Sequence, residues 1–267
     1  MRLFYLTLVV ALIGATELKA ETILLGTGVN SDPPYVIGDF KIDEDTPGIT
    51  IELLQLIEQK LNIEFQISMK PWARVIEEIK NNQLHGGFHF SYLKERKSFV
   101  SYPILPNQKV PDSAFSLSTR SDVLYQLKGN NVSWNGAKFV LQNERPARVG
   151  VIRGGAILFD LALNKSEVVE VNNDQQLLNL LLTKRVDGII GLSSMLDPKL
   201  LTLEDSIQQQ IEKVTPSLTT KHFYIAFSKQ FEKENAELVW KIWNAIKQLK
   251  ENGTFQKLER KYAQTIQ

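Results

Sequence analysis

Two short runs decide how this chain is organised: Pro111-Asp-Ser-Ala-Phe-Ser-Leu-Ser-Thr119 and Lys221-His-Phe-Tyr-Ile-Ala-Phe227. In the first, Ala114, Phe115 and Leu117 punctuate polar residues; in the second, Phe223, Ile225 and Phe227 alternate with period two, the pattern of a half-buried strand. Each run sits at a change of composition and belongs to neither half of the chain. Two such crossings mean that the chain leaves one lobe, builds a second and returns. The expected first lobe is residues 21–112 plus 221–267, and the expected second, inserted lobe is residues 113–220.

Outward from these crossings, strand-like and helix-like segments alternate, which is the grammar of an α/β fold with mostly parallel sheets. Thr22 to Gly26 reads as a strand, followed by the turn Ser31-Asp32-Pro33-Pro34 and a helix opened by Gly48 and carried by Leu53, Ile57 and Leu61. Ile63 to Met69 alternates as a strand. Pro71 suits the first turn of a helix through Val75, Ile76 and Ile79, and Gly86 to Phe90 is a third strand.

The second half repeats the order. Arg148 to Ile152 reads as a strand, Gly155 to Leu163 as a helix, Val168 to Val171 as a strand, Asp174 to Lys184 as a helix and Val186 to Leu192 as a buried strand. The stretch from there to Ser217 carries no clear period. A long helix from about Phe231 to Asn252 follows, stopped by Gly253, and then a short helix from Thr254 to Ala263.

Composition narrows the functional classes. Met1 and Arg2 precede an apolar run from Leu3 to Ile13, and Ala20 offers a small residue for cleavage; residues 1–20 read as a signal peptide, with the periplasm as destination. The run is too short to span a bilayer, and no later stretch approaches the length required. The chain has no cysteine, which excludes disulfides, thiolate metal sites, a cysteine nucleophile and a lipidated cysteine anchor. Without residues 1–20 the 31 basic and 30 acidic residues become 29 of each, a balance that points to neither nucleic acid nor an anionic membrane. The three histidines show no metal spacing, there is no GxSxG, and no cofactor is expected.

Ordered landmarks now add up. Pro34-Tyr35 follows the first strand, Gly48 leads its helix and Trp72 stands before the next. Ser91-Tyr-Leu-Lys-Glu-Arg96 precedes Val100-Ser-Tyr-Pro103; later come Val149-Gly150-Val151, Arg153-Gly154-Gly155 and Lys184-Arg185-Val186-Asp187-Gly188. In this order they make the chain resemble the periplasmic solute-binding proteins related to the amino-acid-binding components of ABC importers, a family with the type II periplasmic binding protein fold. The resemblance covers essentially the whole chain after residue 20. It implies two α/β lobes on a two-segment hinge, a small-molecule ligand, an ABC permease or a membrane sensor as partner, and a monomer.

The resemblance also implies a site. Arg96 matches the arginine that forks onto the ligand's carboxylate; a planar guanidinium offers parallel N–H donors that fit two carboxylate oxygens. Ser91 matches a second hydroxyl donor, and Trp72 matches the aromatic that stacks on the ligand. Tyr35 is the nearest candidate for the opposite face, because the family's usual aromatic aligns with Asp32. Arg153 and Gly154 match the glycine-containing loop at a helix start, where backbone N–H groups meet an anion. Arg74 and His89, close in sequence to Trp72 and Ser91, are further candidates.

Three departures shape the expected ligand. Leu93 replaces a usual threonine, Gly87 a usual aspartate, and the acids that face an α-ammonium in amino-acid binders fall on Val29 and Leu192. A buried ammonium without a carboxylate partner is costly, so the expectation is an anionic, carboxylate-bearing solute without an α-amine; recognition of an amine by Asp32 is the alternative. The competing class is a periplasmic dehydratase-like enzyme on the same fold, using His89 or Glu95 as acid or base.

Overall fold

The computed structural model describes residues 20–134, 139–141, 146–159 and 167–265. The expected signal peptide and residues 160–163 of the expected second-half helix lie outside the described residues.

The first strand, β1 (Glu21–Gly28), pairs in parallel with β2 (Ile63–Lys70) along its whole length and with β3 (Gly86–Ser91) on its other side. Between them run α1 (Ile49–Leu61) and α2 (Trp72–Lys80). Pro71 stands one residue outside α2, in extended conformation, so it caps the helix where its missing N–H costs nothing. Gly87 has a steric reason: a Cβ there would come within 2.8 Å of the Gly26 carbonyl oxygen and of the Phe90 ring. The short β4 (Val100–Ser101) pairs with the last long strand, β11 (Ile211–Ser228).

In the second half β10 (Gly188–Leu192) pairs in parallel with β8 (Arg148–Ile152), and β8 with β9 (Glu167–Val171). Helix α3 (Asp174–Leu182) covers this sheet with Leu177, Leu178 and Leu181, and the Asn173 side chain caps its N-terminus by accepting from the Gln176 N–H at 2.9 Å. A separate small ladder joins β6 (Ser133–Trp134) to β7 (Phe139–Val140).

The two halves share β11 and β5 (Ser118–Leu127), which run antiparallel and give the strand order β2-β1-β3-β11-β5-β10-β8-β9. Lys221 to Phe227 is therefore strand, as expected. Pro111 to Thr119 is not: Asp112 accepts from the Ala114 N–H at 2.9 Å and holds Ser113–Phe115 in a tight helical turn, so the strand begins only at Ser118. The pattern was hidden in β11 as well, because its first twelve residues are mostly polar and half-exposed.

The aperiodic stretch after Leu192 folds as α4 (Ser193–Leu201) and α5 (Asp205–Gln208) before β11 begins. The expected long C-terminal helix is two helices, α6 (Lys229–Glu234) and α7 (Ala236–Glu251). Asn235 breaks it: at φ −130° it leaves helical conformation, its N–H ending α6 on the Phe231 carbonyl at 2.8 Å and its own carbonyl opening α7 by accepting from the Val239 N–H at 3.0 Å. Helix α8 (Thr254–Thr265) closes the chain against α1 and α7, burying Phe255, Leu258 and Tyr262. Among the described residues no helix is long and apolar enough to cross a membrane.

Candidate functional site

The carboxyl ends of β1 and β3 face the strand ends and helix starts of the second half across a cavity. Ligands of open α/β sheets sit at such strand ends. From the first half Thr27, Val29, Asp32, Trp72, His89, Ser91 and Arg96 line it; from the second, Ile152, Gly155, Asn172, Asp174, Leu192 and Met195; from the shared strands, Arg120, Asp122 and Phe223.

Arg96 follows β3 in a short helical turn, Glu95–Ser98, and is 4% exposed. Its Nη1 donates to the Ser91 carbonyl at 3.2 Å and its Nη2 to the Gly154 carbonyl at 2.8 Å, so one guanidinium touches both halves. Burial lowers its pKa and the adjacent Tyr102 opposes that shift; Tyr102 itself is raised to about 12 by burial and donates to the Ser91 carbonyl at 3.0 Å. Trp72, the first residue of α2, packs 4.6 Å from the Phe90 ring, and both rings face the Arg96 guanidinium, at 5.8 and 5.4 Å.

The sequence matches the model of the bacterial extracellular solute-binding proteins, family 3, over residues 25–265. The chain belongs to that family. Membership puts it outside the cytoplasm, in the periplasm or beyond. No curated protein matches the sequence. Similar solved structures include an amino acid ABC transporter substrate-binding protein from Streptococcus pneumoniae bound to L-arginine (18% identity, 92% of this chain and 96% of that one, TM-score 0.64). The GluR0 ligand-binding core from Nostoc punctiforme in complex with (L)-glutamate is similar at 20% identity over 91% and 98%, TM-score 0.64. A histidine kinase sensor domain with similarity to periplasmic binding proteins matches at 16% identity over 91% and 96%, TM-score 0.68. At these identities the likeness shows the fold, the type II periplasmic binding protein architecture.

Of the residues singled out in this family 3 protein, the structure gathers Arg96, Ser91, Trp72 and His89 on the cavity wall. Gly154 does not line the cavity, but its carbonyl accepts from Arg96; its φ of +74° suits glycine, and a Cβ there would meet Ile76 at 3.1 Å. Arg153 turns outward, its side chain 55% exposed and 3.8 Å from Glu170. Arg74 is also half-exposed and is paired to Glu77 and Glu78 along α2. Tyr35 packs against the first-half core, with its ring 5.3 Å from the Arg120 guanidinium. Arg153, Arg74 and Tyr35 do not line the cavity either.

His89 occupies a bulge where β3 carries one residue more than β11, and its φ is +64°. Its Nε2 meets the Thr50 hydroxyl at 3.0 Å and its Nδ1 lies 3.5 Å from Asp32. Burial lowers its pKa to about 3, so the ring is neutral near pH 7 and far from the pKa that suits general acid–base work. Glu95 is exposed and does not line the cavity.

Val29 and Leu192 both line the cavity, as apolar wall. Asp32 is occupied: Arg120 Nη1 donates to its Oδ2, the Ser194 hydroxyl donates to its Oδ1 at 2.7 Å, and His89 stands beside it. Sequence reading missed Arg120, Asp122 and Asp174. The first two lie two apart on β5, hence on one face, and Asp174 opens α3 after the two residues that follow β9, near where α/β ligands bind. Asp174 is 2% exposed, its Oδ2 has no hydrogen-bond partner, and burial raises its pKa to about 6, with Lys199 opposing and Asp39 reinforcing the shift.

Proposed function

We propose that this family 3 protein is an exported, monomeric receptor that closes two lobes around a small carboxylate-bearing solute, with Arg96 as the residue that grips the carboxylate. The observation that carries the reading is a buried guanidinium at the cavity wall, fixed by one carbonyl from each half. Ser91 supplies a neighbouring polar contact and Trp72 an apolar face for the solute. The lobes are residues 21–112 with 221–267, and 113–220; they turn on the shared strands, and the solute favours the closed form because contacts from both lobes exist only there. Moving such an equilibrium from 1:99 to 99:1 takes roughly 5.5 kcal/mol of differential affinity, within reach of an arginine fork, a stacked ring and a few donors. Delivery to an ABC importer or to a membrane sensor follows from the same closed surface; arginine-binding transporter proteins and a sensor-kinase domain share the fold.

The apolar Val29 and Leu192 and the engaged Asp32 favour a solute without an α-amine. A second reading, a carboxylate that also bears an amine or hydroxyl donor, draws on Asp174 and its unpartnered oxygen. A thermal-shift screen of organic acids, hydroxy acids and amino acids separates them, since a solute that binds the folded state raises the melting temperature by mass action. Binding that survives Arg96→Ala unchanged sinks the proposed grip; chemical conversion of the best hit sinks the receptor reading.

A further inference from the structure

The cavity holds a second guanidinium. Arg120, on the shared strand β5, is 5% exposed, and burial lowers its pKa to about 9 while Asp122 opposes the shift, so it is charged near pH 7. A guanidinium carries five N–H donors. Asp32 takes Nη1, yet Nε and Nη2 have no hydrogen-bond partner. The groups packed on its faces are the Phe223 ring at 3.9 Å and the Tyr35 ring at 5.3 Å; they hold the plane in place by cation–π contact and accept no in-plane hydrogen bond.

Asp32 does not relieve this: it meets Arg120 through Nη1 alone, and its other oxygen accepts from Ser194. The pair therefore fixes the direction of the fork and leaves one edge of it unmatched. Buried donors of a charged group that go unpaired carry a substantial desolvation cost, and an acceptor placed on them recovers it. The two forks are held by different groups on neighbouring strands. The Arg96 guanidinium is tied to the Ser91 carbonyl on β3, whereas that of Arg120 lies on Phe223, which pairs with Ser91 from the next strand, β11.

We propose that Arg120 recognises a second oxygen acceptor of the solute, a carboxylate, amide or carbonyl group at a distance from the carboxylate held by Arg96. Asp32 is its positioning residue. This inference rests on the carboxylate reading above and adds that the solute is doubly functional: an acid at one end and an acceptor at the other.

Titration calorimetry on the exported protein tests it with three sets of probes matched in chain length from four to eight carbons: alkanoates, α,ω-dicarboxylates and the corresponding ω-amide acids. At the best length a two-acceptor acid binds about 10-fold to 100-fold tighter than the alkanoate, the span expected for one charge-assisted hydrogen bond. The dicarboxylate and amide arms tell a charged acceptor from a neutral one. Arg120→Gln brings the ratio of the two affinities down to about one, since a charge-assisted bond is what set it. Because that change leaves Asp32 facing a neutral amide, an Asp32→Asn, Arg120→Gln double variant is measured beside it, and either folded variant gives the ratio. A wild-type protein that does not distinguish the sets, or a preference that persists in both variants, overturns the assignment of Arg120 while the Arg96 grip stands. If no acid binds at all, or if Arg96→Ala is without effect on those that do, the carboxylate reading falls and this inference with it.

Discussion

Arg96 and Gly154 are joined across the cavity: the Nη2 group of one donates to the carbonyl of the other at 2.8 Å, over 58 positions of sequence. The same guanidinium is held by the Ser91 carbonyl and lies beside the packed pair of rings Trp72 and Phe90. A side chain fixed on one half and bonded to the other loses that bond if the two halves part. Among the described residues, further contacts that cross between the halves include Arg120 to Asp32, Ser194 to Asp32 and Lys199 to Asp39. The last lies at the rim, where an exposed ion pair contributes only about 0–1 kcal/mol.

Replacing Arg96 by lysine and by alanine separates charge from geometry. Lysine keeps a positive charge but has no planar fork, so it loses both the matched carboxylate geometry and the bridge from Ser91 to Gly154. Affinity for the best acid of the screen falls about tenfold for lysine and by 2–5 kcal/mol for alanine, as for a buried charged hydrogen-bond partner. Calorimetry gives the affinities, and small-angle scattering with bound acid shows a smaller change in radius of gyration for both variants. Equal affinities for arginine and lysine at this position count against the fork.

The alternation of elements was legible because strands β1, β2, β3, β8 and β9 carry local hydrophobic patterns, and Leu177, Leu178 and Leu181 mark α3 without help from tertiary context. What stayed hidden was set by single polar residues: Asp112 turning a strand-like run into a helical turn, and Asn235 cutting a continuous helical period in two. On the cavity wall, Arg96, Ser91, Trp72 and His89 are legible because they sit beside recognisable landmarks. Arg120 and Asp174 were missed because nothing local distinguishes a buried arginine on a polar strand, or an aspartate at a helix start, from an exposed one. Arg74 and Arg153 show the converse: proximity in sequence to the site did not decide which way their side chains face.

In the proposed site Trp72 is the ring face for the solute, and Phe90 packs against it at 4.6 Å. Trp72→Phe keeps an aromatic surface and Trp72→Ala removes it, so the phenylalanine variant retains most of the affinity while the alanine variant loses about 1–3 kcal/mol of transfer free energy for the buried apolar contact. Fluorescence of the remaining tryptophans in a titration follows this. A loss that is the same for both substitutions points to packing of α2 rather than to contact with the solute.

Asp174 links the cavity to stability. Its folded pKa of about 6 lies above the ordinary carboxylate value of 3.8, through burial first. A raised pKa means that the contribution to stability is complete below pH 3.8 and is lost as pH rises through 6. Asp174→Asn is therefore more stable than the wild type at pH 7.5, by on the order of 3 kcal/mol in the unliganded protein, and the difference shrinks towards pH 4. Urea unfolding at the two pH values measures it. An asparagine variant that is less stable at pH 7.5 means that the carboxylate is engaged rather than stranded.

His89 carries the opposite sign. Its pKa of about 3 lies below the ordinary 6.5 because the ring is withdrawn from water, between the Thr50 hydroxyl and Asp32 and against the Tyr35 and Phe88 rings. The unfolded chain then binds the proton more readily than the folded one, so stability present above pH 6.5 is lost as pH falls through 3. At its φ of +64° asparagine is a tolerable replacement, since it visits the left-handed region more readily than most residues. The absolute stability of His89→Asn is lower than that of the wild type for want of the imidazole contacts, but its decline between pH 6.5 and 4 is shallower, and that difference in slope isolates the histidine from the carboxylates titrating in both proteins. Parallel slopes would mean that His89 reaches solvent when protonated, which the bulge in β3 would then have to open to allow.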